Sequence, residues 1–81
     1  MNAAVVALGK RIKERRTKLG ITRRALAKTL NFSYQLLCDW EHGRREPTIR
    51  SIVVLMKEIH LTKQDLLQCY AKENRDARID N

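Results

Sequence analysis

The side chains best suited to binding chemistry are cationic, and they are concentrated in one part of the chain. Residues 1–45 hold 11 basic and 3 acidic side chains, whereas residues 46–81 hold 6 of each. The first part therefore carries the whole formal net charge of +8. A one-sided basic region on a small domain attracts polyanions, above all nucleic acid. The alternative interpretation is a solvated surface that happens to be basic.

Residue types that serve catalysis or metal binding form no recognisable pattern. The two cysteines lie 31 positions apart, and neither histidine has a metal-ligand spacing to a cysteine. The sequence has no Ser-His-Asp order and no phosphate-binding glycine loop. We therefore expect no enzymatic activity, no cofactor, no metal and no small-molecule ligand.

The apolar segments and the cysteines favour a cytoplasmic protein. No apolar run approaches the ~18 residues of a membrane span. The first residues lack the basic segment of a signal peptide. Two cysteines do not make a disulfide framework. We expect Cys69 to fill a gap near the last helix, and only neighbouring cations would favour a redox role for Cys38.

Composition and periodicity predict one all-α domain. The chain has 81 residues, of which 43% are hydrophobic, enough for a single core. Helical spacing of apolar residues predicts five short helices, over residues 5–19, 22–31, 33–41, 48–60 and from 62 onward. We expect the domain to span residues 1–71, and residues 72–81 to form a polar tail that frays.

The same spacing predicts which residues face the core. In the first helix these are Leu8, Ile12 and Leu19. In the second and third they are Leu26, Ala27, Leu30, Leu37 and Trp40. In the fourth they are Ile49, Ile52, Leu55, Met56 and Ile59.

The second and third helices form the segment that bears most directly on function. Two short helices that cross at a wide angle need a small residue where they approach, and Ala27 supplies it. The tight turn needs a residue that tolerates positive φ, and Asn31 does so better than most. Leu37 and Trp40 then anchor the third helix, so that its opposite face protrudes. Such a ridge can enter the major groove of B-DNA.

Four stretches of the sequence carry a family resemblance: residues 11–22 (RIKERRTKLGIT), 26–30 (LAKTL), 40–48 (WEHGRREPT) and 61–67 (LTKQDLL). In this order and spacing, the segment Leu8–Leu67 resembles the lambda-repressor-like DNA-binding domain of phage repressors and Cro proteins. The resemblance implies a compact five-helix fold with a helix-turn-helix. The sequence departs from the pattern at Arg23, often Gln, and at Asn31 and His60, usually Gly.

The resemblance implies that the first turn of the third helix reads bases. The candidate residues on this helix are Tyr34, Gln35, Leu36, Cys38 and Asp39. Gln35 can pair with adenine through two hydrogen bonds. Asp39 can accept from cytosine or simply balance nearby arginines. The alternative is that these residues form only a polar helix face.

Phosphate contacts are expected on both sides of that helix. The start of the second helix offers backbone N–H groups and a cation at Thr22 and Arg23, and the loop after the third helix offers Arg44 and Arg45. By resemblance, His42 is a phosphate donor. Also by resemblance, Arg16 and Glu41 form a partly buried structural ion pair, and Arg16 also has the option of a phosphate contact.

These expectations together describe a double-stranded-DNA-binding transcription regulator of the Cro or repressor type. A single recognition helix buries little surface, so a homodimer on a palindromic operator is expected. Its interface is expected to use Leu67, Tyr70, Val53 and Val54. A contact with RNA polymerase is an option. Three alternatives stay open: a controller protein of a restriction–modification system, an antitoxin that also regulates its own promoter, and a non-specific or RNA-binding protein.

Overall fold

Five α-helices make up the fold of the part of the chain that the computed structural model describes, residues 2–74, with side chains described as far as residue 71. The helices are α1 (Ala3–Lys18), α2 (Arg23–Leu30), α3 (Tyr34–Glu41), α4 (Ile49–Glu58) and α5 (Lys63–Asn74). Within this range there is no strand. The predicted all-α class and the five helices are confirmed.

Side-chain caps set the start of each helix. Asn2 accepts hydrogen bonds from the N–H groups of Ala4 and Val5, so α1 begins at Ala3, two residues earlier than predicted. Thr22, Ser33 and Thr48 cap the next three helices as predicted, each accepting from the N–H three residues on. Thr62 and Asp65 form the predicted capping box at the start of α5.

Positive backbone φ angles occur at the joints between helices. Gly20 ends the α1 turn at φ 73°, and Asn31 forms the α2–α3 turn at φ 59°. His60 also has a positive φ of 62°, after α4. This is the position where the family usually has glycine, because a side chain is strained there.

The core lies where α1 packs against α3 and α5, and where α2 packs against α3. Its fully or nearly fully buried members come from all five helices and one joint: Leu8, Ile12, Leu26, Ala27, Leu30, Leu37, Trp40, Ile52, Leu55, Ile59, Leu61 and Cys69. Cys69 is buried among these residues, as predicted.

A buried glycine in α1 allows the close approach of α1 to α3. A Cβ atom at Gly9 would collide with the carbonyl oxygen of Trp40 and would lie 3.0 Å from that of Glu41. Any side chain at this position would push α1 away from the end of α3. The sequence analysis did not assign a role to Gly9.

Two predicted core residues are exposed. Leu19 is 42% exposed because α1 ends at Lys18, and Ile21, beyond the glycine turn, packs against the core. Ile49 is 76% exposed. It lies about 110° around the helix from the centre of the buried face of α4, at 100° per residue. Ser51 is buried on that face, and Met56 is only partly buried at its edge.

The predicted tail overlaps the last turn of α5, which extends to Asn74. Residues 75–81 of that prediction lie outside the described part. No helix within the described residues is long and apolar enough to cross a membrane.

Candidate nucleic-acid interface

Apolar contacts with the core hold the α2–turn–α3 unit in place. Leu37 and Trp40 are buried, and the ring of Phe32 meets that of Trp40 edge to face, with centroids 5.4 Å apart and planes at 80°. The N–H of Phe32 donates to the carbonyl of Ala27 at 3.0 Å, which closes the turn around Asn31. These contacts fix the direction in which the outer face of α3 points.

The outer face of α3 presents most of the predicted base-reading residues. Tyr34 and Gln35 are exposed, and Cys38 and Asp39 are partly exposed. Leu36 is different, because it is partly buried and packs against the core. It lines a small groove with Phe32 and Trp40 beneath the helix.

A chain of polar contacts runs along this face. The Gln35 amide nitrogen donates to Asp39 Oδ1 at 3.0 Å, and the Arg44 guanidinium lies 3.6 Å from the same oxygen. The backbone carbonyl of Asp39 accepts from the N–H groups of Arg44 and Arg45, at 2.8 and 3.3 Å. Asp39 therefore joins α3 to the basic loop that follows it.

A buried carboxylate joins α3 to the two helices before it. Arg16 Nε donates to Glu41 Oε2 at 2.6 Å and its second nitrogen donates to Oε1 at 3.0 Å, so the expected ion pair is bidentate. Its remaining nitrogen donates to the carbonyl of Ile21 at 2.8 Å. Arg23 also donates to Glu41 Oε1, at 2.7 Å.

The environment of Glu41 keeps it ionised. Burial acts to raise the pKa of its carboxyl, but the hydrogen bonds from Arg16 and Arg23 outweigh burial and lower the pKa below its usual value. The side chain of Arg16 is also buried, and its guanidinium group is paired with Glu41. The last turn of α3 is therefore tied to α1 and α2 by one ionised carboxylate and two guanidinium groups.

Cations lie near both ends of α3. Beside its first residue, Tyr34, an open groove is lined by Thr22 and four cations, Lys13, Arg16, Arg23 and Arg24. The guanidinium of Arg24 lies over the Tyr34 ring, 5.2 Å from its centroid. At the other end of α3, the loop that follows it carries Arg44 and Arg45, both exposed. A helix with an accessible face and cations near both of its ends suits the major groove of duplex DNA and the phosphates beside it.

Comparison with known proteins agrees with this geometry. A family profile described as helix-turn-helix matches residues 12–66. The chain belongs to the lambda-repressor-like helix-turn-helix family. It is also 39% identical over 57 residues to the HTH-type transcriptional regulator DicA of Escherichia coli (strain K12). That match covers 70% of this chain and 42% of the relative, so the chain spans less than half of that protein's length. No solved structure matches the chain significantly.

Two cations with no role assigned from the sequence line the groove beside α3, namely Arg24 in the first turn of α2 and Lys13 on α1. Arg23 and Arg24 are adjacent in the first turn of α2. The sequence alone does not show which of the two side chains points toward the core. The structure shows that Arg23 contacts buried Glu41, whereas Arg24 is exposed beside Tyr34.

The remaining predicted phosphate ligands have local partners in the structure. The Thr22 hydroxyl accepts from the Ala25 N–H at 3.1 Å as the cap of α2. His42 is exposed, and its Nδ1 lies 2.8 Å from the carbonyl of Cys38. A phosphate contact by His42 would therefore use its other ring nitrogen, Nε2.

The residues predicted to form a dimer lie on the α4 and α5 side of the helix-turn-helix domain. Val53 and Leu67 are each 59% exposed, whereas Val54 and Tyr70 are partly buried against the core. The Tyr70 hydroxyl donates to Glu46 Oε2 at 2.5 Å. Leu66, Leu67 and Tyr70 line a shallow apolar groove.

Proposed function

We propose that this protein is a transcription regulator that binds double-stranded DNA with sequence specificity. The observation that carries the proposal is the outer face of α3, which is accessible to solvent, is anchored by the buried Leu37 and Trp40, and has cations near both ends of the helix. An α-helix of this kind fits the major groove, where base edges present distinct donor and acceptor patterns. The family of the chain and its similarity to a named transcriptional regulator support the same conclusion.

Base reading is assigned to the first turns of α3. Gln35 is the principal reader, and Tyr34 contacts a thymine methyl or a sugar beside it. Cys38 and Asp39 lie one turn further along, where the helix leaves the groove. Leu36 is the weakest of the five candidates, because most of its side chain packs against the core.

Phosphate binding is assigned to the exposed groups around that helix. These are Thr22 with the N-terminus of α2, His42, Arg44 and Arg45, together with Arg24 and Lys13. Helix N-termini and exposed arginines are the usual phosphate ligands of such domains. Arg16 and Arg23 act instead through Glu41, since their guanidinium groups are already engaged there.

The active form is proposed to be a homodimer on a palindromic operator in the cytoplasm. Leu67 and Val53 give it exposed apolar surface, extended by Tyr70 and Val54. Two copies would place their α3 helices about 34 Å apart, one turn of B-DNA. Occupancy of an operator that overlaps a promoter would regulate transcription, with or without a contact to RNA polymerase.

Selection from a random pool of duplex DNA at physiological salt tests the proposal. We expect an enriched palindrome, whose half-site spacing gives the geometry of the dimer. Sedimentation with and without that DNA measures the oligomeric state. Binding that depends on salt but not on sequence would reject the specific regulator, and a protein that stays monomeric on the selected DNA would reject the dimer.

Two substitutions separate base reading from phosphate binding. Gln35→Ala should relax preference at one base pair, whereas Arg45→Ala should weaken binding to all sequences and reduce the salt slope by about one unit. Matched controls are Gln64→Ala and Lys57→Ala, which change exposed residues of α5 and α4. Equal effects of Arg45→Ala and Lys57→Ala would contradict the assignment of Arg45.

A further inference from the structure

The amide of Gln35 is held in one orientation by Asp39. Its nitrogen donates to Asp39 Oδ1 at 3.0 Å. The opposite orientation would turn the amide oxygen of Gln35 toward a carboxylate oxygen, and two acceptors repel each other. The hydrogen-bond network therefore decides which end of the amide faces which way.

Asp39 is itself held in place. Its side chain is only 19% exposed, its Oδ1 lies 3.6 Å from the guanidinium of Arg44, and its backbone carbonyl accepts from the loop. Asp39 therefore has little freedom to release Gln35. The pair lies one helical turn apart on the face that the proposed function places in the major groove.

The fixed amide presents a defined pattern to a base. One N–H of the Gln35 nitrogen is used by Asp39, which leaves its second N–H and the amide oxygen available. Adenine offers an acceptor at N7 and a donor at N6, which match this pattern. Guanine offers two acceptors, at N7 and O6, so that the fixed amide oxygen would face O6.

We propose that Asp39 is the positioning residue that makes Gln35 discriminate adenine from guanine. This inference rests on the proposed function. Asp39 acts through Gln35 and contacts no base at that pair. Without the carboxylate, both N–H groups of the amide are free of Asp39, so the nitrogen can donate to N7 and O6 of guanine while the oxygen turns away from the base, and the discrimination falls.

A double-mutant cycle on the selected operator tests the proposal. The base pair read by Gln35 is defined as the one at which Gln35→Ala relaxes preference. At that pair, Asp39→Ala should lower the ratio of adenine to guanine affinity by about fivefold or more, the lower end of what one bidentate contact supplies. In the Gln35→Ala background, Asp39→Ala should have no further effect there. Asp39→Asn, whose amide can either accept from or donate to Gln35, should give a ratio between those of the wild type and Asp39→Ala.

Each alternative gives a different result. An unchanged ratio in Asp39→Ala, or an equal change in the Gln35→Ala background, overturns the positioning role. The urea midpoint of Asp39→Ala should stay unchanged, since general loss of structure would lower it. Asp39→Ser, whose hydroxyl is too short to reach Gln35, provides the same test if Asp39→Ala folds poorly.

Failure of this inference differs from failure of the proposed function. Wild-type protein that binds DNA without any sequence preference rejects the proposed function itself. Selective binding by the wild type, with an unchanged adenine-to-guanine ratio in Asp39→Ala, rejects only this inference.

Discussion

Two buried carboxylates, Glu41 and Asp65, are each held by a pair of arginines, but they hold different parts of the molecule. Glu41 is contacted by Arg16 from α1 and Arg23 from α2, so one charge joins three helices. Asp65 is contacted by Arg11 and Arg15, both from α1, and it also caps α5 by accepting from the Thr62 N–H at 2.8 Å.

The two clusters also differ in solvent access. The side chain of Glu41 is 0% exposed, and its partners Arg16 and Arg23 are 8% and 25% exposed. Asp65 is 3% exposed, but its partners Arg11 and Arg15 are 25% and 32% exposed. The clusters therefore differ in one arginine, since water can solvate both partners of Asp65 as well as Arg23, but very little of Arg16. The least exposed of these ion pairs, Arg16–Glu41, is the one that holds the last turn of α3.

Loss of the Glu41 charge should have the largest effect on stability. Glu41→Gln leaves the buried Arg16 guanidinium without its counter-charge, and we expect the free energy of unfolding to fall by about 3 kcal/mol. Urea unfolding at pH 7 measures it. Glu14→Gln, at an exposed partner of Arg11, is the control and should change stability by less than about 0.5 kcal/mol. If Glu41→Gln lowered the free energy of unfolding as little as the control does, the Arg16–Glu41 ion pair would not contribute to stability.

Loss of the Asp65 charge should have a smaller effect. Asp65→Asn keeps an oxygen for the Thr62 N–H but loses the attraction to both arginines, and these remain partly solvated. We expect the free energy of unfolding to fall by about 1–2 kcal/mol. The same urea experiment measures it. A loss as large as that of Glu41→Gln would contradict the comparison of solvent access.

Acid should destabilise the protein through both clusters. Burial acts to raise the pKa of Asp65, but the hydrogen bonds from Arg15, Thr62 and Arg11 outweigh it and lower the pKa well below its usual value, in the same direction as for Glu41. Because both pKa values are lower in the folded protein, the unfolded chain binds protons at a higher pH than the folded protein does. The stabilisation is therefore present above the ordinary carboxyl range near pH 4 and is lost as the pH falls.

Urea midpoints measured from pH 7 down to pH 3 check this expectation. The wild type should lose more stability over that range than either Asp65→Asn or Glu41→Gln, since each variant lacks one of the two titrating groups. Parallel curves for the wild type and Asp65→Asn would show that Asp65 is not linked to folding.

Local features of the helix-turn-helix were predictable from sequence because they depend on neighbours in the chain. The caps at Thr22 and Ser33, the positive φ at Asn31 and the buried Leu37 and Trp40 all follow from spacing and turn chemistry. The exposed face of α3 follows from these same features, because burying one side of a helix leaves the other side free.

Features that depend on tertiary contacts were not predictable in the same way. Ile49 and Leu19 fit a helical stripe, but the packing of their neighbours decided that they are exposed. The partners of Asp65 lie 50 and 54 positions away in the sequence, a separation that periodicity does not cover. The choice between Arg23 and Arg24 as the partner of Glu41 depends on the angle at which α2 meets α3.

These adjacent arginines allow the smallest and most specific test of the comparison. Arg24→Ala should leave the free energy of unfolding within about 0.5 kcal/mol, because its contact with Tyr34 is exposed. It should reduce the salt slope of DNA binding by about one unit, as expected for a lost phosphate contact. Arg23→Ala should do the reverse, with a loss of about 1 kcal/mol in stability and an unchanged slope, because Glu41 keeps Arg16. The opposite pattern would mean that Arg23 leaves Glu41 for a phosphate when DNA binds. In that case Glu41 would hold the recognition helix through Arg16 alone.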